Sequence, residues 1–273
     1  MSHSSVLPEH LALHIGTHRA PVIVDVRRNE EFDADPYLIP GSIRRDADVI
    51  DAWGSALAGK SVAVVCLDGR TVCQGVAAWL RHKGIDAKSL EGGFETWRSG
   101  GNLLTRAAMI PSPDASGRTV WVTRERPKID RIACPWLIRR FVDPDAVFLF
   151  VEPAQVASVA EQFRATPFDI EGVFWSHRGD TCTFDTMLTE FGLKSDALAR
   201  LATIVRGADT ARLDLSPEAP GFLALSLGLS RLFDDDLVQL QVGLIFYDAV
   251  YMWCRDAHGE THNWPRRAEG KKP

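Results

Sequence analysis

Hydrophobic and polar positions follow one pattern in the first part of the chain and another in the rest. In the first part, apolar runs at residues 22–26, 62–65 and 88–90 have the length of strands, and apolar positions recur with helical spacing at 72–83. The run at 62–65 is apolar throughout, as in a strand that is buried on both faces. Strand-like runs that alternate with helical stretches predict an α/β fold with a doubly wound parallel sheet.

The second part of the chain has a mostly helical pattern. Two strand-like runs, 119–123 and 146–151, enclose a predicted helix at 132–141. Further helices are predicted at 156–162, 183–191, 195–207, 221–229 and 235–255. The last of these is long, and its apolar face is suited to a core. We therefore expect a mainly helical α+β domain, whose topology two strands do not determine.

Glycine, proline and serine are concentrated between the two parts, at residues 98–117. They predict a first domain at 1–106, a linker at 107–117, a second domain at 118–268 and a tail at 269–273. A chain of 273 residues is long enough for each domain to bury a core of its own.

Composition excludes several classes of protein. The hydrophobic share of 45% and the charged share of 25% are those of an ordinary soluble protein, and a net charge of -5 gives no general attraction to nucleic acid. No apolar run approaches the roughly 20 residues of a membrane span, and the first residues lack the features of a secretory signal. The five cysteines are too scattered for a disulfide framework. We expect a cytoplasmic protein without a membrane partner, in an oligomeric state that the sequence leaves open.

Cys66 follows the apolar run at 62–65 and precedes the helical stretch at 72–83. Ligands bind beyond the carboxyl ends of parallel strands, where loop N–H groups and a helix N-terminus favour a thiolate. This position predicts a reactive thiol rather than a small buried hydrophobe. A cysteine phosphatase would need a longer loop, with arginine and histidine where Val72 and Val65 stand.

The segment that begins at Cys66 comprises Cys66, Leu67, Asp68, Gly69, Arg70 and Thr71. Together with the motifs at 24–27 (Val-Asp-Val-Arg), 39–43 (Ile-Pro-Gly-Ser-Ile) and 90–94 (Leu-Glu-Gly-Gly-Phe), it resembles the rhodanese family of sulfurtransferases, over about residues 6 to 105. The resemblance implies that Cys66 carries sulfane sulfur as a persulfide, from a small donor such as thiosulfate or a persulfide to a thiol acceptor. It implies that the six-residue loop binds the anion and that no cofactor is required.

Three side chains near Cys66 leave alternatives open. Arg70 either attracts an anionic donor, pairs with Asp68 or lies solvated at the rim. The charge of Asp68 leaves open whether thiosulfate itself is the donor. Cys73 is either a second thiol beside the loop or, as we favour, a small buried residue.

Basic residues are concentrated at the start of the second domain, between residues 118 and 141. Such a cluster concentrates anions when it lines a cleft, whereas its charges otherwise form a solvated face with internal ion pairs. The candidate oxyanion site consists of Arg124, Lys128, Arg131, Arg139 and Arg140. We find no helix-turn-helix pattern, so nucleic acid is not an expected partner.

This segment, with those at 176–185, 204–209 and 247–251, resembles the chromate-resistance protein C-terminal domain over about residues 119 to 265. The resemblance implies a link to chromate resistance, with chromate or another oxyanion as a partner. His177, Asp209 and Asp248 are also candidate ligands of a transition metal, because one histidine and carboxylates from separate helices suit iron, manganese or zinc. A structural role of the histidine is the alternative.

The combined expectation is a sulfurtransferase fused to a domain that is linked to chromate or oxyanion resistance. The alternative is a regulator without enzymatic activity, in which the second domain senses chromate or Cys66 acts as a redox-sensing thiol.

Overall fold

The structure, a computed structural model, describes residues 4–260. Its first part is built on five parallel strands in the order β1-β6-β5-β2-β4, and a two-stranded antiparallel ribbon joins β3 to β7. The strands are β1 (Ser5–Val6), β2 (Val22–Asp25), β3 (Tyr37–Leu38), β4 (Ser42–Arg44), β5 (Ser61–Val65), β6 (Asp86–Leu90) and β7 (Thr105–Arg106). The predicted parallel sheet is therefore confirmed, with β5 at its centre.

Helices cover both faces of this sheet. They are α1 (Pro8–Ala12), α2 (Asn29–Ala34), α3 (Ile50–Trp53), α4 (Thr71–His82) and α5 (Gly93–Ser99). Side chains of β5 alternate between the faces, so Val62 and Val64 pack in one core with α4, whereas Val65 packs in the other with Trp97 of α5. Burial on both faces explains why this strand is apolar throughout.

The second part is mainly helical, as the sequence predicts, and its helices surround a three-stranded parallel sheet, of which two strands were predicted. The sheet has the order β10-β8-β9, with β8 (Val120–Arg124), β9 (Val147–Val151) and β10 (Thr166–Pro167). The helices are α6 (Ile129–Phe141), α7 (Val156–Phe163), α8 (Thr183–Phe191), α9 (Asp196–Asp209), α10 (Ala219–Leu232) and α11 (Asp236–Met252), followed by a π-helical turn at Trp253–Ala257.

Helix α6 begins three residues before the predicted start at 132. Its first turn carries Asp130, a charged residue that apolar periodicity cannot identify as inward-facing, yet this side chain is buried. The helix also continues through Pro135, which removes one main-chain hydrogen bond without ending it. The prediction of a later start was wrong because tertiary contacts bury the polar first turn.

The two domains share one continuous hydrophobic core. Phe141, at the end of α6, accepts hydrogen bonds from the Gly41 N–H at 2.9 Å and from the Thr105 hydroxyl at 2.8 Å. Its ring leaves no space for a side chain at Gly16, where a Cβ would lie 2.4 Å away. Gly16 and Gly41 precede β2 and β4, so these contacts lie at the amino-terminal edge of the parallel sheet. The opposite edge, where Cys66 lies, faces away from them.

The predicted linker at 107–117 is exposed or half-buried throughout and contains one 3-10 turn, Ala107–Met109. The domain boundaries remain a prediction. Residues 261–268 of the predicted second domain and the predicted tail at 269–273 lie outside the described residues.

Within the described residues, one helical segment, Asp236–Ala257, is long and apolar enough to cross a membrane by length and composition, and 44% of its most apolar window is buried. Leu240, Leu244, Tyr247 and Tyr251 of this segment pack in the core, as a core helix requires.

Candidate functional site

The loop from Cys66 to Arg70 connects β5 to α4 and packs against the start of α5. Gly69 has a φ of 74°, and a Cβ there would lie 2.5 Å from the Gly92 nitrogen and 2.6 Å from the Gly93 nitrogen. Both the left-handed backbone and the close approach to α5 therefore require glycine at this position.

The N-terminus of α5 binds the outward-facing carbonyl groups of this loop. The Phe94 N–H donates to the Cys66 carbonyl at 2.9 Å, and the Glu95 N–H donates to the Leu67 carbonyl at 3.0 Å. With these carbonyls turned toward α5, the backbone N–H groups of Gly69, Arg70 and Cys73 lie near the Cys66 sulfur and help to lower the pKa of its thiol. The local sequence thus forms a bowl of backbone donors around a sulfur that belongs to a residue only 3% exposed.

Cys73, in the first turn of α4, completes this bowl with its side chain. Its Sγ lies 2.8 Å from the Cys66 Sγ. The hydrogen bond from the Cys73 thiol, aided by the three backbone N–H groups and opposed by burial, lowers the pKa of Cys66 to about 7. The same contact and burial raise the pKa of Cys73. Cys66 is therefore the thiolate of the pair, and Cys73 is the thiol that stabilises it.

Of the polar side chains in the loop, Asp68 lies near the Cys66 sulfur, whereas Arg70 and Thr71 point to the surface. One carboxylate oxygen of Asp68 accepts the Arg70 N–H at 3.0 Å and lies 3.7 Å from the Cys66 Sγ. The contact between Asp68 and Arg70 is thus made by the backbone, and Asp68 shapes the turn. Arg70 and Thr71 are exposed at the rim. Cys73 is fully buried, as we favoured, and it is also the second thiol of the site.

A cleft of about 450 Å³ lies at the same edge of the sheet and reaches the first turn of α4 at Val72. Its lining includes Arg28 after β2, Arg44 at the end of β4 and Arg45 directly after it, together with Asp46 and Asp48. These arginines were not predicted from the sequence. They could have been found from their positions, because residues at the carboxyl ends of neighbouring parallel strands lie at the same edge of the sheet.

His177 forms the centre of a polar cluster in the second domain. Its Nε2 lies 3.4 Å from an oxygen of Asp130, 3.4 Å from one of Asp169 and 3.2 Å from one of Asp209. Asp130 lies in the first turn of α6 and Asp209 ends α9, whereas Asp169 and His177 belong to the connection between β10 and α8. Side chains from three segments that are distant in sequence thus converge on one imidazole nitrogen.

Mutual charge and burial shift the pKa values of this cluster. Hydrogen bonds to Asp130 and then to Asp169 raise the pKa of His177 to about 10. Burial, followed by repulsion from Asp130 and Asp169, raises the pKa of Asp209 to about 7. Burial is also the main cause that raises the pKa of Asp130, whose side chain is only 1% exposed.

Asp248, the third predicted metal ligand, does not join this cluster. Its carboxylate accepts the Trp136 indole N–H at 2.8 Å and two hydrogen bonds from the Arg140 guanidinium, each 2.8 Å long. Arg140 lies nine residues after Arg131 on α6, or about 14 Å along the helix axis. The inclusion of Asp248 was wrong because α11 places it at the opposite end of α6. Asp130 and Asp169 belong to the cluster instead. Their separation along the chain matches no metal-binding motif, so the sequence could not identify them.

The five predicted oxyanion-binding cations do not form one site either. Arg124 and Arg131 pair with Asp169, and Arg140 pairs with Asp248. The remaining two, Arg139 and Lys128, lie at the Ala146 carbonyl and at the N-terminus of α6 respectively. Helical geometry separates the two ends of the segment, and carboxylates pair with three of its five predicted cations.

Comparisons with known proteins agree with the two-part architecture. A family model of the rhodanese-like domain matches residues 7–100, and a model of the ChrB C-terminal domain matches residues 121–254. Protein ChrB of Cupriavidus metallidurans is 39% identical over 150 residues, which cover 53% of this chain and 44% of that protein. The chain thus spans less than half the length of this relative.

One further relative and one solved structure are similar to the first part. Thiosulfate sulfurtransferase GlpE of Pseudomonas syringae pv. syringae is 38% identical over 80 residues, covering 29% of this chain and 73% of that protein. The crystal structure of a rhodanese-related protein from Thermoplasma volcanium is 22% identical and covers 37% of this chain and 96% of that chain, with a TM-score of 0.33.

Proposed function

We propose that this chain, which belongs to the rhodanese family and also carries a ChrB C-terminal domain, is a sulfurtransferase that holds sulfane sulfur as a persulfide on Cys66. The observation that carries this proposal is the surroundings of the Cys66 sulfur. The Cys73 Sγ lies 2.8 Å from it, and three nearby backbone N–H groups help to lower the pKa of Cys66. Donors that stabilise a thiolate are equally suited to the terminal sulfur anion of a persulfide.

Thiosulfate illustrates the proposed reaction. The Cys66 thiolate attacks the outer sulfur of thiosulfate, a sulfur–sulfur bond forms at Cys66, and sulfite leaves with the electron pair of the broken bond. An acceptor thiolate or cyanide then attacks the terminal sulfur and restores the Cys66 thiolate. Covalent storage divides one transfer into two easier displacements.

The arginine-lined cleft beside the loop is the proposed approach path of an anionic donor. Arg45 is half-buried in this cleft, and its guanidinium donates to the main-chain carbonyl of Arg44. Positive charge in a cleft raises the local concentration of anions. Because the second domain packs on the opposite edge of the sheet, a small thiol acceptor has access to the same side.

For the second domain we propose a link to chromate or oxyanion resistance through the ChrB domain. The five basic residues predicted to bind an oxyanion do not lie together, which gives no support to direct chromate binding by this domain. We therefore assign sulfur transfer to a small thiol as the primary activity of the chain. All five cysteines are free, which suits a reducing compartment such as the cytoplasm.

A transfer assay with thiosulfate and cyanide, combined with intact-protein mass spectrometry, tests the proposal. We expect the wild-type chain to form thiocyanate and, before cyanide is added, to gain the mass of one sulfur atom. Cys66→Ser should lose both signals, whereas Cys254→Ala, which alters a buried cysteine of the second domain, should keep both. Absence of sulfur uptake by the wild type from thiosulfate, and from a glutathione persulfide donor, would overturn the proposal.

The contact between Cys66 and Cys73 favours a redox-sensing thiol as a second candidate function. Oxidation of Cys66 by hydrogen peroxide gives a sulfenic acid, and attack by Cys73 then forms a disulfide and releases water. Two thiols should disappear per chain after brief peroxide treatment and return with dithiothreitol. If Cys73→Ala loses the same two thiols, this candidate is wrong.

A further inference from the structure

We propose that His177, Asp130, Asp169 and Asp209 form a binding site for one divalent first-row transition ion, manganese(II) or iron(II). The site lies in the second domain, is independent of the sulfur chemistry at Cys66, and differs from the ligand set that the sequence suggests.

The first support is the spacing of the donor atoms. The imidazole Nε2 lies between 3.2 and 3.4 Å from one oxygen of each carboxylate. The donor atoms of Asp130, His177 and Asp209 all lie within 4.8 Å of one another. Two ligands that are each about 2.1 Å from a shared ion at an angle between 90° and 109° are about 3.0 to 3.4 Å apart. Asp130, His177 and Asp209 are therefore spaced as ligands of a single ion, and Asp169 lies at the same distance from the imidazole nitrogen as Asp130 does.

The second support is that hydrogen bonding alone does not explain this convergence. A protonated imidazole has one N–H at Nε2, which points in one direction and serves one acceptor well. Here three carboxylates meet at that nitrogen, although like charges repel strongly at such distances away from water. A divalent cation between them interacts with all three at once.

The third support is that the surroundings hold the carboxylates in place. Asp130 accepts the Thr183 N–H at 2.6 Å, and Asp169 accepts the Thr183 hydroxyl at 2.9 Å. The outer oxygen of Asp169 faces Arg131 at 3.4 Å, and the Asp130 N–H donates to Asp209 at 3.4 Å. Partners of this kind orient metal ligands and fix which oxygen faces the ion.

The donor set decides the class of ion. One imidazole nitrogen and three carboxylate oxygens suit manganese(II) and iron(II) better than copper(I), which prefers sulfur. The imidazole side chain is 41% exposed, so the site borders on solvent. The buried side of the site is closed by Asp130, whose side chain is 1% exposed.

Metal loading of the full chain tests the proposal. After treatment with a chelator, the protein is incubated with manganese(II), or with iron(II) without oxygen, then desalted and analysed by mass spectrometry of the metal. We expect about one ion per chain, loss of the free manganese(II) signal in electron paramagnetic resonance, and a rise in Tm of several degrees.

Two substitutions separate metal binding from ion pairing. Asp209→Asn should weaken manganese(II) binding at least 10-fold, and His177→Lys, which keeps a cation opposite the carboxylates, should abolish it while the chain remains folded. Asp214→Asn, an exposed carboxylate that pairs with Arg212, is the control and should bind as the wild type does.

The proposal is overturned if the wild-type chain retains less than about a tenth of an ion per chain with manganese(II) and also with iron(II). It is equally overturned if both site variants bind manganese(II) as the control does. Sulfur transfer by each variant is measured in parallel. The loop around Cys66 and the His177 cluster have no residue in common, so each variant should retain sulfur transfer. The proposal of a metal site and the proposal of sulfur transfer are therefore tested separately.

Discussion

The polar groups around Cys66 and those around His177 differ in kind. Backbone N–H groups and one thiol lie near the Cys66 sulfur, and all of them come from the eight-residue segment that begins at Cys66 and ends at Cys73. Side-chain carboxylates face the His177 nitrogen, and they come from positions 130, 169 and 209. The surroundings of the first site suit an anion, and those of the second suit a cation.

This difference shows how the two sites depend on the rest of the molecule. A short loop that turns from a strand into a helix presents its own N–H groups, so its conformation largely determines the Cys66 site. The His177 site exists only when α6, α9 and the connection before α8 are packed together. Substitutions that alter backbone geometry should therefore affect the first site, whereas losses of single side-chain contacts should affect the second.

The largest effect is expected from Gly69→Ala. The added methyl group would meet three main-chain atoms at 2.5 to 2.8 Å, at a residue with a φ of 74°. We expect a loss of about 4 kcal/mol in the free energy of unfolding and of at least about 100-fold in sulfur transfer. Gly75→Ala on α4, where a Cβ has no neighbour within 4 Å, should keep activity and stabilise by up to about 1 kcal/mol. Equal effects of the two changes in urea unfolding would contradict the role of the loop backbone.

Asp248→Ala should destabilise the second domain without affecting metal binding. It leaves the Arg140 guanidinium and the Trp136 indole without their shared acceptor, which costs about 3 kcal/mol. Urea unfolding measures the loss, and metal analysis of the folded variant should match the wild type. The prediction is wrong if stability is unchanged while the bound metal is lost.

Cys73→Ala should change the pH dependence of sulfur transfer. Because the Cys73 hydrogen bond lowers the pKa of Cys66 to about 7, its loss returns that pKa toward the ordinary value of 9.0. The reactive thiolate, present above the pKa, then becomes scarce at pH 7. Allowing for the greater nucleophilicity of a more basic thiolate, we expect an approximately 5- to 10-fold slower reaction at pH 7 that recovers near pH 9.

Cys73→Ser supplies the matched control, since its hydroxyl retains a hydrogen-bond donor. Its pH–rate profile should lie close to that of the wild type. If the alanine variant also keeps its midpoint near pH 7, Cys73 contributes packing alone.

The smallest effect is expected from Arg45→Gln in the cleft. Because this charge is only half-buried and is screened by salt, we expect the KM for thiosulfate to rise about 3-fold with little change in kcat. The difference should shrink at high ionic strength. Arg231→Gln, an exposed arginine of α10, is the control. An effect on kcat alone would contradict a role in attracting the donor.

The long elements were predicted closely, because their apolar periodicity is strong. The helix predicted at 183–191 is α8, and that at 72–83 differs from α4 by one residue at each end. Short strands were missed. Pairing of Ser5 with Ser89 adds β1 to the sheet, and two residues carry no periodicity from which to predict a strand.

The sequence alone determined the Cys66 site, because its strand, loop and helix are contiguous and a loop of this length has few conformations. It did not determine that Cys73 touches the sulfur, since burial and contact require the packed helix. Only the tertiary structure assembled the His177 cluster and assigned Asp248 to Arg140. Carboxylates on different helices approach one another only when apolar faces elsewhere on those helices are buried, and no local spacing records which ones will meet.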